Sequence, residues 1–430
     1  MDQRPVNDRL RSEILNDVRY ERAFTAFRKG FLERNEAKHT EYMVSLACQC
    51  FNNDYVWAVS AEEQLALARL RENFTSIRDL IVYAMYEPLW TVRDAALRLG
   101  IDKDDDAKEI YVRQICEPAE EDEIKKTIPS FGVSADPVSQ AVREQYEEFP
   151  YPRWIDLKPP APRNFADAML ERFPFLAPAP DRDDVKILIA GCGTGYHPIL
   201  IAAEYPSATV TAVDFSKSSL AYGIRQSRKY NVPNLKFLHG DILNLDMRGD
   251  MRGEFDVIEA VGVLHHMDDP LAGLQALVRA LKPGGFLKLG LYSKRTRANL
   301  QAAKELIQKK QIGRSAGELR AARQEIIQDT TGVMKGPMEE SDFYYMSGFR
   351  DLLCHAHEVA FTPAELKTLL KDTGTTLLGY RGIDKEARAE YVKRFPEDPY
   401  MRNFDLVDAY EADRPQMLHG NLQMFWLRAE

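Results

Sequence analysis

The stretch VKILIAGCGTG, residues 185–195, decides the fold: an apolar strand, Val185 to Ala190, runs straight into a loop with glycine at 191, 193 and 195. Residues without a Cβ allow a tight turn and let backbone N–H groups approach a ligand at a helix N-terminus. A dinucleotide-binding loop reads GxGxxG, and the position of its last glycine is held here by Tyr196. A bulky side chain there disfavours close approach to a pyrophosphate. The loop suits a ligand without phosphates, whose amino and carboxylate groups meet backbone.

Downstream, strand and helix signals alternate as in a parallel α/β sheet. Strand two is expected over Thr209–Val213, a helix over Lys217–Tyr230, strand three over Leu235–Leu238 and strand four over Phe255–Ala260. A helix over Pro270–Leu281 and the turn KPGG, 282–285, lead into strand five, Phe286–Leu291. Such a doubly wound sheet binds its ligand at the carboxyl ends of the strands, where the strand order reverses. An acid ends strand two at Asp214, placed to accept two ribose hydroxyls, with Phe215 beside it to lie against a purine. Asp241 and Ile242 follow strand three in HGDI, an acceptor for an exocyclic amine next to an apolar wall. Either acid alone is also a common helix cap. Together, at successive strand ends, they point to one adenosine-bearing ligand. EAVGVLHHMDDP, 259–270, follows strand four. Its His265 and His266 are candidates for a general base or a substrate clamp.

Residues 10–145 read as helical, with Phe24, Phe27 and Phe31 at helical spacing and a second run from Leu65 through Leu67, Leu70, Phe74 and Ile77 to Ile81. Pro88 ends that run, and Thr91–Leu99 forms a further helix stopped by Gly100. This region is a cap on the catalytic domain or a docking module for a partner protein. EPAEEDEIKKTIPSFGVSADP, 117–137, looks like a linker, and VREQYEEFPYPRW, 142–154, is dense in aromatics and prolines. A second connector includes FPFLAPAPD. Tyr146, Tyr151, Arg153 or Trp154 are placed to close over a ligand. Beyond strand five come a charged helical insertion over 297–328 and a helix opened by Thr362, Pro363 and Glu365. Strand six is expected over Leu377–Gly382, an insertion with little strand character over 383–418, and strand seven over Leu422–Leu427.

The order GCGTG, Asp214, GDI, VLHHM and LKPGG resembles the class I methyltransferases that use S-adenosylmethionine (SAM). With QYEEFPYPRW before it, LYSKRTR after strand five and FRDLLCHAHEVAFTPAEL, the chain is similar to a bacterial group whose methyltransferase domain follows a helical, often tetratricopeptide-bearing, region; no such repeats are visible here. The resemblance implies an α/β, Rossmann-like seven-stranded methyltransferase sheet with an α-helical N-terminal domain and helical insertions after strands five and six. The expected division is a helical domain over 1–140, an aromatic and proline-rich lead-in over 141–184, a SAM-binding core over 185–296, and insertions with the last strands over 297–430. Cofactor contacts then fall on Gly191, Cys192, Gly193, Gly195, Asp214, Phe215, Asp241, Ile242 and Val261, with S-adenosylhomocysteine as product. His265 and His266 are the catalytic candidates. Tyr146, Tyr151, Arg153, Tyr292, Tyr344 and His355 are the candidates for holding the acceptor. EAVG stands where base- and glutamine-methylating enzymes carry NPPY. A small molecule with an O or N nucleophile is the favoured acceptor, a protein or peptide the second, and a SAM-binding regulatory protein without turnover the rival class.

The 430 residues suffice for two or three domains at roughly 100–200 residues each. A net charge of −9 argues against a nucleic-acid partner. Five cysteines without CxxC spacing and a polar start without a signal sequence point to reduced thiols in the cytoplasm. No uncharged run reaches the roughly 18 residues of a membrane span. HAHE, 355–358, is not a zinc-site spacing, so no metal is expected.

Overall fold

The computed structural model describes residues 5–33, 40–132, 136–176, 184–418 and 421–430. The latter part of the connector FPFLAPAPD lies outside them. Contacts divide the chain into two units, neither continuous in sequence: Met1–Glu123 with Tyr151–Leu157 and Leu300–Cys354, and Ile124–Pro150 with Lys158–Asn299 and His355–Glu430.

The second unit is built on a seven-stranded sheet: β1 Lys186–Ala190, β2 Thr209–Asp214, β3 Leu235–His239, β4 Phe255–Val261, β5 Leu281–Tyr292, β6 Thr375–Arg381 and β7 Leu422–Ala429. Its order is β3-β2-β1-β4-β5-β7-β6. The first five strands pair in parallel, and β7 enters antiparallel between β5 and β6. The order reverses between β1 and β4, so a crevice opens at their carboxyl ends. Both faces are buried. Ile187, Ile189, Val210, Ala212 and Val257 pack on one side, and Leu188, Ala190, Val213, Ile258 and Ala260 on the other. Strands covered on both faces read as continuous apolar runs, which is why they stand out in the sequence.

The turn KPGG does not precede β5 but lies within it. Leu281 pairs with Phe255 and Phe286 with Val257, so the intervening residues bulge out of the ladder. The acidic stretch read as a linker is a helix, Glu117–Thr127. Its end packs Ile124 and Ile128 into the sheet's core beside Met169 and Phe173. Residues 129–132 then run along the β3 edge, where Phe131 N–H donates to His239 O and Asp241 N–H to Gly132 O. The stretch from 383 to 418 carries two helices, Lys385–Arg394 and Phe404–Asp413.

The first unit is helical. The run from Leu65 to Ile81 divides into helices Ala61–Glu72 and Ile77–Tyr83, because Ser60 with Glu63 and Ser76 with Asp79 each form a capping box. Leu65 and Phe27 are exposed rather than core residues, at 62% and 54%. The expected helix from Thr91 is a 3-10 turn, Leu89–Val92, followed by a helix over Arg93–Arg98. Gly100 follows it at φ +80°, left-handed backbone that suits glycine. The insertion after β5 groups with the N-terminal helices, not with the sheet as the expected 297–430 division had it. Side chains account for this: Arg323 pairs with Glu21, Ser347 Oγ donates to Asp54 Oδ2 at 2.7 Å, and Arg320 Nε donates to Tyr55 O at 2.7 Å.

Among the described residues no helix is long and apolar enough to cross a membrane.

Candidate cofactor and acceptor site

The loop after β1 folds back on β2: the N–H groups of Gly191 and Cys192 both donate to Val213 O, at 2.8 and 3.0 Å. Gly191, Gly193 and Gly195 have φ of +70°, +52° and +86°, left-handed values that cost other residues about 1–2 kcal/mol each. Beyond conformation the glycines differ in role. A Cβ on Gly191 would stand 2.4 Å from Val263 Cγ2, so this position keeps the loop close to the segment after β4. A Cβ on Gly195 would stand 2.7 Å from Gly223 Cα, so this position lets the loop meet helix Lys217–Tyr230.

Asp214 closes β2 with 7% exposure. Its Oδ2 accepts the Gly193 N–H at 2.8 Å and its Oδ1 the Ser216 N–H at 2.9 Å. Burial outweighs these bonds and pushes its carboxyl up to about 6. Asp241 is the N-cap of the 3-10 helix Ile242–Met247, its Oδ1 accepting the Leu243 N–H at 3.0 Å.

A cleft joins these residues. Gly191, Asp214, Phe215, Asp241, Ile242 and His266 line it. Val263 and Met267 complete the floor, and Ser139 and Val142 approach from the helix Pro137–Glu148. Sequence reasoning passed over these last four. The signal for the helix was present in Asp136 as N-cap and Pro137 at the first helical position. Glu147 on that helix accepts the N–H groups of Lys217 and Ser218 at 2.6 and 3.1 Å, which fixes it against the helix after β2.

Cys192 does not line the cleft. It lies in the core beside Ile187 and Ile189, and burial pushes its thiol well above the ordinary range. Val261 packs on β5, where a Cβ on Gly290 would meet it at 2.7 Å; the cleft wall is Val263, two residues later. His265 does not line the cleft either, being fully buried. It stacks on Tyr292, with ring centroids 3.7 Å apart, while Arg297 covers the Tyr292 ring at 3.7 Å.

His266 does reach the cleft, and the structure brings a distant histidine onto it: His355 stacks on His266 with centroids 3.6 Å apart. His355 Nε2 lies 3.1 Å from Tyr146 Oη, and the Tyr146 ring lies 6.3 Å from Phe215. Of the six acceptor candidates, Tyr146, Tyr292 and His355 thus gather around His266. Tyr151, Arg153 and Tyr344 belong to the helical unit. There Tyr151 Oη donates to Asp342 Oδ2 at 3.1 Å, Arg153 lies over Phe51, and Tyr344 Oη donates to Met338 O at 2.9 Å.

The cleft fits an adenosyl group with an amino-acid arm. The buried carboxylates of Asp214 and Asp241 could accept from hydroxyls and an exocyclic amine, and Phe215, Ile242 and Val263 supply apolar walls.

Residues 187–285 match the family model described as a methyltransferase domain. The chain is 31% identical over 265 residues to an uncharacterized protein of Synechococcus sp., covering 59% of this chain and 63% of the relative. It is 32% identical over 127 residues to the malonyl-[acyl-carrier protein] O-methyltransferase of Halalkalibacterium halodurans, covering 30% and 46%. The chain therefore spans less than two thirds of the length of these relatives. Among solved structures, PKMT2 from Rickettsia typhi in complex with AdoHcy is similar at 15% identity and a TM-score of 0.45, covering 64% of this chain and 55% of that one. The chain carries a class I SAM-dependent methyltransferase domain, with SAM as its cofactor.

Proposed function

We propose that the chain is an enzyme that moves a methyl group from SAM to a small molecule through an O or N nucleophile. The observation that carries this reading is the meeting of Gly191, Asp214 and Asp241, from the ends of three strands, in one cleft that also exposes the His266 ring. When bound, SAM supplies an already activated methyl group, so the protein's task is to align acceptor and methyl carbon and to exclude water. Asp214 would hold the ribose hydroxyls, and Asp241 with Ile242 and Phe215 the adenine. Tyr146, His266 and His355 would orient the acceptor at the same cleft. Five unpaired cysteines support the cytoplasm as its compartment. The helices of the first unit are a candidate surface for a partner protein.

Incubating the full chain with methyl-labelled SAM and a cell extract tests the reading. Label in the small-molecule fraction is the expected result. Label confined to protein would move the acceptor to the second class, and no transfer despite SAM binding would leave a regulatory SAM-binding protein.

A further inference from the structure

We propose that the helical unit carries a second small-molecule site, a groove that binds an organic monocarboxylate with an apolar body through Arg320 and Arg71. The groove holds about 380 Å³, within the roughly 300–1,000 Å³ of small-molecule sites. Helical periodicity builds one wall: Gln64, Leu67, Ala68 and Arg71 stand at i, i+3, i+4 and i+7 of helix Ala61–Glu72 and so share one face. Tyr83 ends helix Ile77–Tyr83, Glu87 follows in the turn after it, and Arg320 comes from helix Ala316–Gln328. All of them belong to the helical unit, apart from the methyltransferase cleft.

Arg320 is half-buried, and its Nε donates to Tyr55 O at 2.7 Å. Neither Nη nitrogen has a hydrogen-bond partner among the described residues, so the pair that could hold an oxyanion in two-point fashion is unused. Four other arginines packed into this unit each have an acid: Arg28 lies 3.7 Å from Glu63, Arg113 2.6 Å from Glu109, Arg153 3.4 Å from Asp54 and Arg323 2.7 Å from Glu21. Arg323 is one turn from Arg320 on the same helix, and only Arg323 has met its counter-charge. Burial pushes the Arg320 guanidinium below the ordinary arginine range, and Glu87 attracts it without forming an ion pair. Arg71 is exposed and likewise forms no ion pair among the described residues. A partly desolvated cation without an acid is unfavourable, and an anion entering the groove offsets that cost.

The lining also sets the class of ligand. Two arginines against the single Glu87 leave one positive charge unmatched, in a chain whose net charge is −9. A monocarboxylate matches that balance, whereas a phosphate dianion would bring its second charge against Glu87. Val59, Leu67 and Ala68 supply apolar surface for the body of the ligand. The Tyr83 hydroxyl is engaged with Thr91 Oγ1 at 3.1 Å, so Tyr83 adds its ring to that surface.

The test is calorimetry on the full chain with octanoate and phenylacetate as probes, and with their neutral amides and inorganic phosphate as controls. The expected result is binding of a carboxylate probe with a Kd below about 1 mM and of neither amide. Arg320→Gln and Arg71→Gln should each weaken it about tenfold. Ala68→Phe, which fills the groove and leaves both arginines in place, should abolish it. Arg71 and Ala68 are exposed, so these two variants decide the matter even if Arg320→Gln loses its hold on Tyr55 and unfolds. Failure of both carboxylates to bind, equal binding of the amides, or unchanged affinity in Arg71→Gln and Ala68→Phe would overturn the site. Tighter binding of phosphate than of either carboxylate would overturn the assigned ligand class. None of these readouts involves methyl transfer, so the site stands or falls separately from the methyltransferase reading.

Discussion

Arg323 meets Glu21 through two contacts of 2.7 Å, Nη1 to Oε1 and Nη2 to Oε2, across 302 residues of sequence, in surroundings where the arginine is fully buried. The Arg323 Nε also donates to Phe343 O at 2.7 Å, so the guanidinium ties the N-terminal helix Val18–Glu33 to the insertion after β5. Glu21→Ala would leave a buried guanidinium without its acid and should cost about 3–5 kcal/mol, read as a lower denaturant midpoint for the helical unit. An unchanged midpoint would show that the pair does not bind the insertion to the N-terminal helices.

At Asp214 the expected effect is on ligand affinity and on its pH dependence. With Asp214 as the proposed acceptor for two ribose hydroxyls, Asp214→Ala should weaken SAM binding by about 3 kcal/mol, roughly a hundredfold or more, in calorimetry. In the unliganded protein the carboxyl is raised to about 6 by burial. Its protonated form is therefore favoured in the folded chain, and the carboxylate that accepts hydroxyls is lost as pH falls below 6. SAM affinity should drop between pH 7 and 5 in the wild type and should lose that dependence in the alanine variant. For stability the sign is opposite: a raised acid makes folding less favourable as pH rises from about 4 to about 6.

Glu259, 4% exposed on β4, behaves in the reverse sense. Burial would raise its pKa, but Lys288 Nζ at 2.7 Å and His197 Nε2 at 2.8 Å from Oε2 more than offset that and hold it at about 2. A depressed carboxylate contributes stability that is present above the ordinary 4.5 and is lost as pH falls toward 2, about 3 kcal/mol in all. Glu259→Gln should destabilise the sheet unit by about 3 kcal/mol at neutral pH, since the half-buried Lys288 loses its counter-charge. Acid titration of unfolding, wild type against variant, reads both; parallel curves would refute the assignment.

Gly195→Ala should cost about 2–4 kcal/mol, from left-handed backbone and from a methyl forced against Gly223 Cα. Gly317→Ala, in helix Ala316–Gln328 with open space around it, should be neutral or mildly stabilising. Thermal unfolding of the two variants separates loop packing from generic loss of a glycine.

The sequence by itself determined the sheet and the location of the cofactor loop. Strands buried on both faces are apolar without interruption, and the left-handed turns after β1 need glycine, so both leave local marks in VKILIAGCGTG. Asp214 and Asp241 were legible for the same reason, each standing at the end of such a strand. Locally encoded caps were equally plain at Thr362 and Glu365, which form the expected capping box. Tertiary structure decided what local pattern cannot carry. Cys192 and His265, adjacent to cleft residues, turn into the core because the backbone alternates or turns there. His355, 89 positions after His266, comes to stack on it because the chain after the insertion returns to the sheet unit. The insertion itself leaves the sheet for the helical unit, since the partner of its buried Arg323 is Glu21. A buried charge needs its counter-charge wherever the chain supplies one, and sequence distance has no bearing on that requirement.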